Sequence, residues 1–208
     1  MAGQHADAEL TSAPRAGRPR DPDADAAILR AALELFAERG VEGTSIEQVA
    51  KRAGVARLTV YRRWSSKEEL LAHAIEFARN APDLSEEEYD TLPWPELVGR
   101  LGGTMAEAAD NGLAPMLAQL IGSSFTHPEL MRAFWASSGE PRRRGGLRMV
   151  ARAVREGLLP ADSDPEVVLN MIVGAVVYKL VFPPREERPD MAEYALKVLR
   201  QAGFRLPV

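Results

Sequence analysis

The stretch that decides the fold is residues 44–70, TSIEQVAKRAGVARLTVYRRWSSKEEL. Its first apolar residues recur at the i, i+3, i+4, i+7 spacing of one helix face: Ile46, Val49, Ala50 and Ala53. Gly54 then ends this helix, and a second short helix is predicted over residues 56–64, with Val60 and Trp64 buried. Two short helices joined by a glycine turn predict a helix-turn-helix, whose second helix can lie in the major groove of DNA.

Capping signals define the neighbouring helix ends. Thr44 and Glu47 are expected to form a capping box, and Ser66 with Glu69 a second one that starts a further helix. Upstream, a helix is predicted from residue 23 to the Gly40 stop, with these residues on one face: Ile28, Ala32, Leu35 and Phe36. Residues 23–80 are therefore predicted to form a three-helix helix-turn-helix domain with a fourth helix, which links it to the rest of the chain.

The positive charge is concentrated in this domain. The whole chain has 26 basic and 30 acidic residues, a net charge of -4. Residues 1–80 contain 12 of each sign, so the acidic excess lies in residues 81–208, with 14 basic and 18 acidic residues. Residues 51–67 contain six basic residues and no acidic one. Such a stripe is typical of a phosphate-binding surface, although a solvated helix face is the alternative.

The outward face of the second helix points to base contacts. With Val60 and Trp64 inside, the following residues must face outward: Arg57, Leu58, Tyr61 and Arg62. Arginine pairs with guanine edges, Leu58 can contact a thymine methyl, and the Thr59 and Tyr61 hydroxyls can reach phosphate or base.

The run over residues 28–71 resembles the DNA-binding domain of the TetR family of bacterial transcriptional regulators. The resemblance is carried by the spacing of Phe36, Gly40, Thr44, Ile46, Val49, Ala50, Gly54, Val55, Tyr61, Trp64, Lys67 and Leu70. It implies that the recognition helix contains Arg57, Leu58, Thr59, Tyr61, Arg62 and Arg63. It also implies that Thr44, Ser45 and Lys67 contact phosphate.

Two residues depart from the family pattern. Ala56 stands where relatives often have Ser, so the recognition helix is expected to lack a side-chain N-cap. Glu47 stands where some relatives have a basic residue, and we assign it no base contact. The preceding residues 1–22 are predicted to be a flexible arm, in which Arg18 and Arg20 either enter the minor groove or belong to a solubilising tail.

The remaining sequence is also helical. After an acidic linker over residues 81–93, helices are predicted over residues 94–111, 113–124, 128–138, 141–156, 165–181 and 189–201. The fold is therefore predicted to be all-α. The resemblance implies that residues 81–208 form a larger helical domain for ligand binding and dimerisation. The run Arg142-Arg143-Arg144 is either a solvated helix start or a second phosphate contact.

Large apolar residues of this part are candidates for the lining of a pocket for an apolar or aromatic effector, with plain core as the alternative. They are Trp94, Leu97, Leu101, Met105, Met116, Leu120, Phe125, Phe134, Trp135 and Met149. The helix over residues 165–181 is apolar nearly all round, which favours pairing of the last two helices in a C2 homodimer. The candidate interface residues are Val168, Ile172, Val176, Leu180, Tyr194 and Val198.

Several classes of protein are disfavoured. The chain has no Cys and only three His, none at metal-ligand spacing, so we expect no metal, no cofactor and no enzyme active site. A helical enzyme or a protein-binding adaptor is the alternative. There is no secretory signal or 20-residue apolar run, so a cytoplasmic location is expected. The predicted function is a dimeric repressor that a small-molecule effector releases from a palindromic operator, with activation or corepression as the alternatives.

Overall fold

A computed structural model describes residues 22–78, 84–110, 113–187 and 189–206. The described residues form eleven α-helices and no β-strand. The helices are α1 (Pro22–Arg39), α2 (Ile46–Arg52), α3 (Arg57–Tyr61), α4 (Lys67–Ala78), α5 (Glu86–Thr91), α6 (Trp94–Asp110), α7 (Leu113–Gly122), α8 (Pro128–Phe134), α9 (Glu140–Arg155), α10 (Pro165–Val181) and α11 (Met191–Gln201). The predicted all-α fold is confirmed, and none of the described helices has the length and hydrophobicity that crossing a membrane requires.

The N-cap of helix α2 lies one residue later than predicted. Ser45 is its N-cap and forms a capping box with Gln48, so the expected box of Thr44 and Glu47 is wrong. Thr44 is instead buried, and its hydroxyl donates to the Gly40 carbonyl at 2.8 Å. At α4, Ser66 accepts from the Glu69 amide as expected, but the Glu69 carboxylate accepts from the backbone and hydroxyl of Ser65.

Helix α3 is shorter than predicted. It begins after Ala56, which provides no side-chain cap, as expected from the sequence, and it ends at Tyr61. Trp64 lies beyond the helix end, yet it is buried and its indole donates to His73 Nδ1 at 2.8 Å. The indole therefore joins the end of the helix-turn-helix to α4.

The predicted linker contains helix α5. Its start is a capping box in which Ser85 accepts from the Glu88 amide and Glu88 accepts from the Ser85 amide. Tyr89 is buried on the inner side of this helix. The acidic composition is that of a linker, so the short amphipathic helix was not predicted. The acidic residues nevertheless suit a helix, because three Glu residues in a first turn are favourable next to the positive helix end.

Helices α8 and α9 are joined without a break. A π-helical turn, Trp135–Gly139, connects them where the sequence predicted an interruption. Pro141 lies in the first turn of α9, a position that proline tolerates, so it does not end the helix. The predicted bounds of α10 are those observed, whereas α11 begins two residues later than expected, after its N-cap Asp190.

Two hydrophobic clusters form the core. The first extends from α1–α4 into α7 and α8, where Met116 and Leu130 are fully enclosed. The second lies among α5, α6, α9, α10 and α11, around Leu97 and Val150. The turn before α8 also contacts the turn between α1 and α2, because His127 Nε2 lies 2.7 Å from Glu42 Oε1. The N-terminal helices are thus packed firmly on α7 and α8.

Candidate nucleic-acid interface and cavity

The helix-turn-helix presents apolar side chains to solvent. Gly54, at φ +67°, makes the sharp turn between α2 and α3. Val60 is buried and packs the inner side of α3 against the core. On the opposite side of α3, Leu58 is 67% exposed and Tyr61 is 43% exposed. Large apolar residues in that setting are typical of a contact surface, since solvation alone does not account for them.

An ion pair joins α2 to the exposed face of α3. Glu47 Oε1 lies 2.7 Å from Arg57 Nη2, and the same nitrogen donates to the Tyr61 hydroxyl at 3.0 Å. The guanidinium also lies over the Tyr61 ring, 5.1 Å from its centroid. The pKa of Glu47 is lowered by a hydrogen bond from its own backbone amide and by the charge of Arg57. Arg57 is therefore held in place before any partner arrives.

Other basic residues of the stripe are also engaged within the protein. Arg52 donates to both carboxylate oxygens of Glu38, at 2.9 and 3.0 Å. Arg63 pairs with Asp25 and donates to the Thr59 carbonyl. Lys67 Nζ donates to the Val41 carbonyl at 3.0 Å. These contacts place three of the six cations of the stripe against α1, α3 and the α1–α2 turn.

Two cations of the stripe are differently placed. Lys51 and Arg62 are exposed, and neither has an ion-pair partner within the described part of the chain. Ser45 is half-buried at the start of α2 with its hydroxyl in the capping box, and Thr59 is half-buried on α3. The predicted arm residues Arg18 and Arg20 lie outside the described residues.

A cavity of about 310 Å³ lies between the two core clusters. Its wall is apolar over most of its extent and is formed by residues of α4 to α11. Four predicted pocket residues line it: Leu101, Met105, Phe134 and Met149. The size and lining are typical of a small-molecule site.

The other six predicted pocket residues do not line this cavity. Four of them are buried in the core: Trp94, Leu97, Met116 and Leu120. Phe125 is 95% exposed in the turn before α8, and Trp135 is half exposed in the π-helical turn. Sequence hydrophobicity cannot separate these cases, because core, cavity wall and surface contact all use the same side chains.

One corner of the cavity is polar. Glu76 in the last turn of α4 pairs with Arg142 of α9, and Ser138 of the π-helical turn donates to Glu76 at 2.8 Å. Neither Glu76 nor Arg142 was predicted to line a pocket, and the solvated helix start assigned to Arg142 is wrong. The neighbouring Arg143 and Arg144 pair with Glu166 and Glu86. The sequence signal was a charged residue between Ile75 and Phe77 on the apolar side of a helix.

Helix α10 has both a buried and an exposed apolar face. Four predicted interface residues are buried within the chain: Val168, Ile172, Val176 and Leu180. Tyr194 and Val198 are half-buried. Other residues of α10 therefore face the solvent. The exposed stripe of α10 consists of Val167, Met171, Gly174 and Tyr178, together with Phe182 directly after the helix end. The Tyr178 and Phe182 rings stack with centroids 5.1 Å apart. The apolar character all round α10 thus comes from two faces, and the interface residues predicted on α10 lie on the face that is buried within the chain.

The described residues contain no group of three His, Asp or Glu side chains arranged to hold a metal ion.

Comparison with known families identifies the chain. The family described as bacterial regulatory proteins, tetR family, matches residues 28–74. The family described as tetracyclin repressor-like, C-terminal domain, matches residues 95–199. The chain belongs to the TetR family. Members of this TetR family are DNA-binding transcriptional regulators, so the α2–turn–α3 unit is its DNA-binding helix-turn-helix.

Similar proteins carry regulator names. The uncharacterized HTH-type transcriptional regulator YdeS of Bacillus subtilis is 26% identical over 79% of this chain and 82% of its own length. The DNA-binding transcriptional repressor TetR of Mycobacteroides abscessus is 28% identical over 74% of this chain and 80% of its own length. Among solved structures, FadR from Bacillus subtilis in complex with stearoyl-CoA has a TM-score of 0.61 at 20% identity, covering 85% of this chain and 96% of that one.

Proposed function

We propose that this TetR-family regulator is a homodimeric repressor that binds a palindromic operator and leaves it when a small molecule occupies the cavity. The observation that carries the DNA-binding part is the exposure of Leu58 and Tyr61 on α3. These residues, with Arg57 and Arg62, are the base-contacting set. Lys51, Lys67 and Ser45 contribute contacts to phosphate, which fix orientation without reading sequence.

The dimer is formed by the exposed stripe of α10. Its spacing of four, three, four and four residues keeps one continuous ridge along a 17-residue helix. A second copy of the chain, related by a two-fold axis, would cover this ridge with an identical one. The half-buried Tyr194 and Val198 on α11 flank the contact. Two recognition helices then lie about 34 Å apart, one turn of DNA.

Release by an effector is supported by the cavity and by its position against α4. A ligand shifts the protein only if it binds one dimer geometry better than the other. Glu76, at the cavity wall, belongs to the helix that packs on α1. The M. abscessus relative is named a repressor, which favours repression over activation.

The test of DNA binding is selection of genomic fragments by the purified chain, followed by sequencing. We expect a palindromic motif with two half-sites one helical turn apart. Leu58→Ala should lose the motif, whereas Phe125→Ala, the matched truncation of an exposed apolar residue, should retain it. Recovery of fragments without a shared motif would contradict the proposal.

The test of the dimer is light scattering at micromolar concentration. Wild type and Phe125→Glu should both give the mass of two chains, and Met171→Glu should give the mass of one. A monomeric wild type, or a dimeric Met171→Glu, would show that the α10 stripe is not the interface.

A further inference from the structure

The chemistry of the cavity wall identifies a class of ligand. Apart from its polar corner, the wall consists mainly of Leu, Val, Ile, Met and Phe side chains. Tyr89 and Thr104 add hydroxyl groups to the wall, and the Thr104 hydroxyl donates to the Arg100 carbonyl at 2.9 Å. The charged side chains of the lining are Glu76 and Arg142, so the contact that distinguishes ligands by charge is made at the corner where these two meet Ser138.

The two carboxylate oxygens of Glu76 are used unequally. Oε2 accepts from both the Ser138 hydroxyl and the Arg142 guanidinium. Oε1 accepts from no group in the part of the chain that the structure describes. An ionised carboxylate offers about four acceptor positions, so Glu76 has capacity left at the cavity wall.

Arg142 differs from Glu76 Oε1 in that it is engaged within the protein. It makes an interaction in addition to its pair with Glu76. A ligand anion that accepted from Arg142 would lie next to the Glu76 carboxylate, which pairs with the same guanidinium. Like charges in a weakly polar cavity repel strongly, so an acidic ligand is disfavoured.

We propose that the cavity binds an apolar amine, protonated at neutral pH, whose ammonium group donates to Glu76 Oε1. This inference rests on the proposed effector function of the cavity. The hydrocarbon or aromatic body of the ligand contacts both core clusters, while the carboxylate lies between the ligand cation and Arg142. Charge-assisted hydrogen bonds of this kind are the strong ones, so Glu76 sets the specificity for amines.

The experiment compares three probes with the same chain and different head groups: decylammonium, decanol and decanoate. Calorimetric titration of the full-length protein without DNA should show decylammonium binding about tenfold more tightly than decanol, with decanoate weakest. In Glu76→Gln the preference of decylammonium over decanol should disappear, because the neutral amide lacks the charge. Glu68→Gln, on the same helix but outside the cavity wall, should retain it.

A second variant tests the location. Met105→Trp fills the cavity from α6 and should abolish binding of all three probes, with circular dichroism showing an unchanged helix content. The proposal is overturned if decanoate or decanol binds as tightly as decylammonium, if no probe binds, or if Glu76→Gln keeps the preference. DNA is absent from this titration, so its result does not depend on whether the operator selection succeeds or fails.

Discussion

Glu47 on α2 and Arg57 on α3 are joined by an ion pair of 2.7 Å across the helix-turn-helix. The carboxylate therefore lies on the surface proposed to contact DNA, and it offsets the charge of Arg57. The proposed contact requires Arg57 to exchange this partner for a base or phosphate. The acidic residue thus weakens attraction to any DNA and leaves discrimination to contacts that only the correct operator provides.

Glu47→Gln should strengthen binding to DNA of unrelated sequence by about threefold to tenfold, because the variant removes one negative charge and releases Arg57. The dependence of log affinity on log salt should become steeper by about one unit. Fluorescence anisotropy with a labelled random duplex measures both. Glu107→Gln, an exposed change on α6, is the control. Equal or weaker binding by Glu47→Gln would contradict the assigned effect of the pair.

Arg63 contributes to folding in a way that Arg62 does not. It pairs with Asp25 of α1 and donates to the Thr59 carbonyl, whereas Arg62 is exposed. Arg63→Ala should lower the free energy of unfolding by about 1–3 kcal/mol, since hydrogen bonds to a charged group are lost. Arg62→Ala should change it by less than about 0.5 kcal/mol. Urea denaturation followed by circular dichroism distinguishes the two, and equal midpoints would refute the difference.

Two helix-interior glycines should respond in opposite directions to alanine. A Cβ at Gly145 in α9 would overlap the Tyr89 ring of α5, whereas a Cβ at Gly99 in α6 would meet no atom within 4 Å. Gly145→Ala should destabilise the protein by about 1–2 kcal/mol despite the better helix propensity of alanine. Gly99→Ala should stabilise it by about 0.5–1 kcal/mol. Stabilisation by both substitutions would show that α5 does not pack closely on α9.

The stability of the C-terminal helices should depend on the ionisation of Glu156. The main cause of its lowered pKa is a hydrogen bond from Arg152, and the second is a hydrogen bond from the Trp94 indole. A carboxyl whose pKa is depressed on folding stabilises the protein above the ordinary value of 4.5, and this contribution is lost as the pH falls through the folded pKa. As the pH falls from 4.5 through the folded pKa, Glu156→Gln should therefore lose stability less steeply than wild type. Urea midpoints across the acidic range measure the slopes, and parallel slopes would contradict the linkage.

The helix-turn-helix was predictable because it is encoded locally. The periodicity of α2, the glycine at φ +67° and the buried Trp64 are each evident within a few neighbouring residues. The exposure of Leu58 and Tyr61 followed directly from the burial of Val60. The sequence did not reveal that Glu47 pairs with Arg57. A glutamate at this position is compatible both with a capping box and with an ion pair, and the sequence does not distinguish the two.

The cavity and the outer face of α10 were harder to predict for a physical reason. Both depend on distant helices: Glu76 and Arg142 are separated by 66 residues, and α10 is apolar on two faces. Hydrophobic periodicity shows that a residue is apolar, but it does not show which neighbour covers it. Helix α5 was missed because its buried residue Tyr89 lies in a stretch whose composition is that of a linker.

The cavity between the two core clusters also affects how long the chain survives. A molecule held in the cavity would add contacts to its lining residues. A molecule bound only to the folded chain raises the free energy of unfolding by RT ln(1 + [L]/Kd), about 2.7 kcal/mol at a hundredfold excess over Kd. Cellular proteases remove unfolded chains, so a ligand of the cavity would raise the abundance of the regulator.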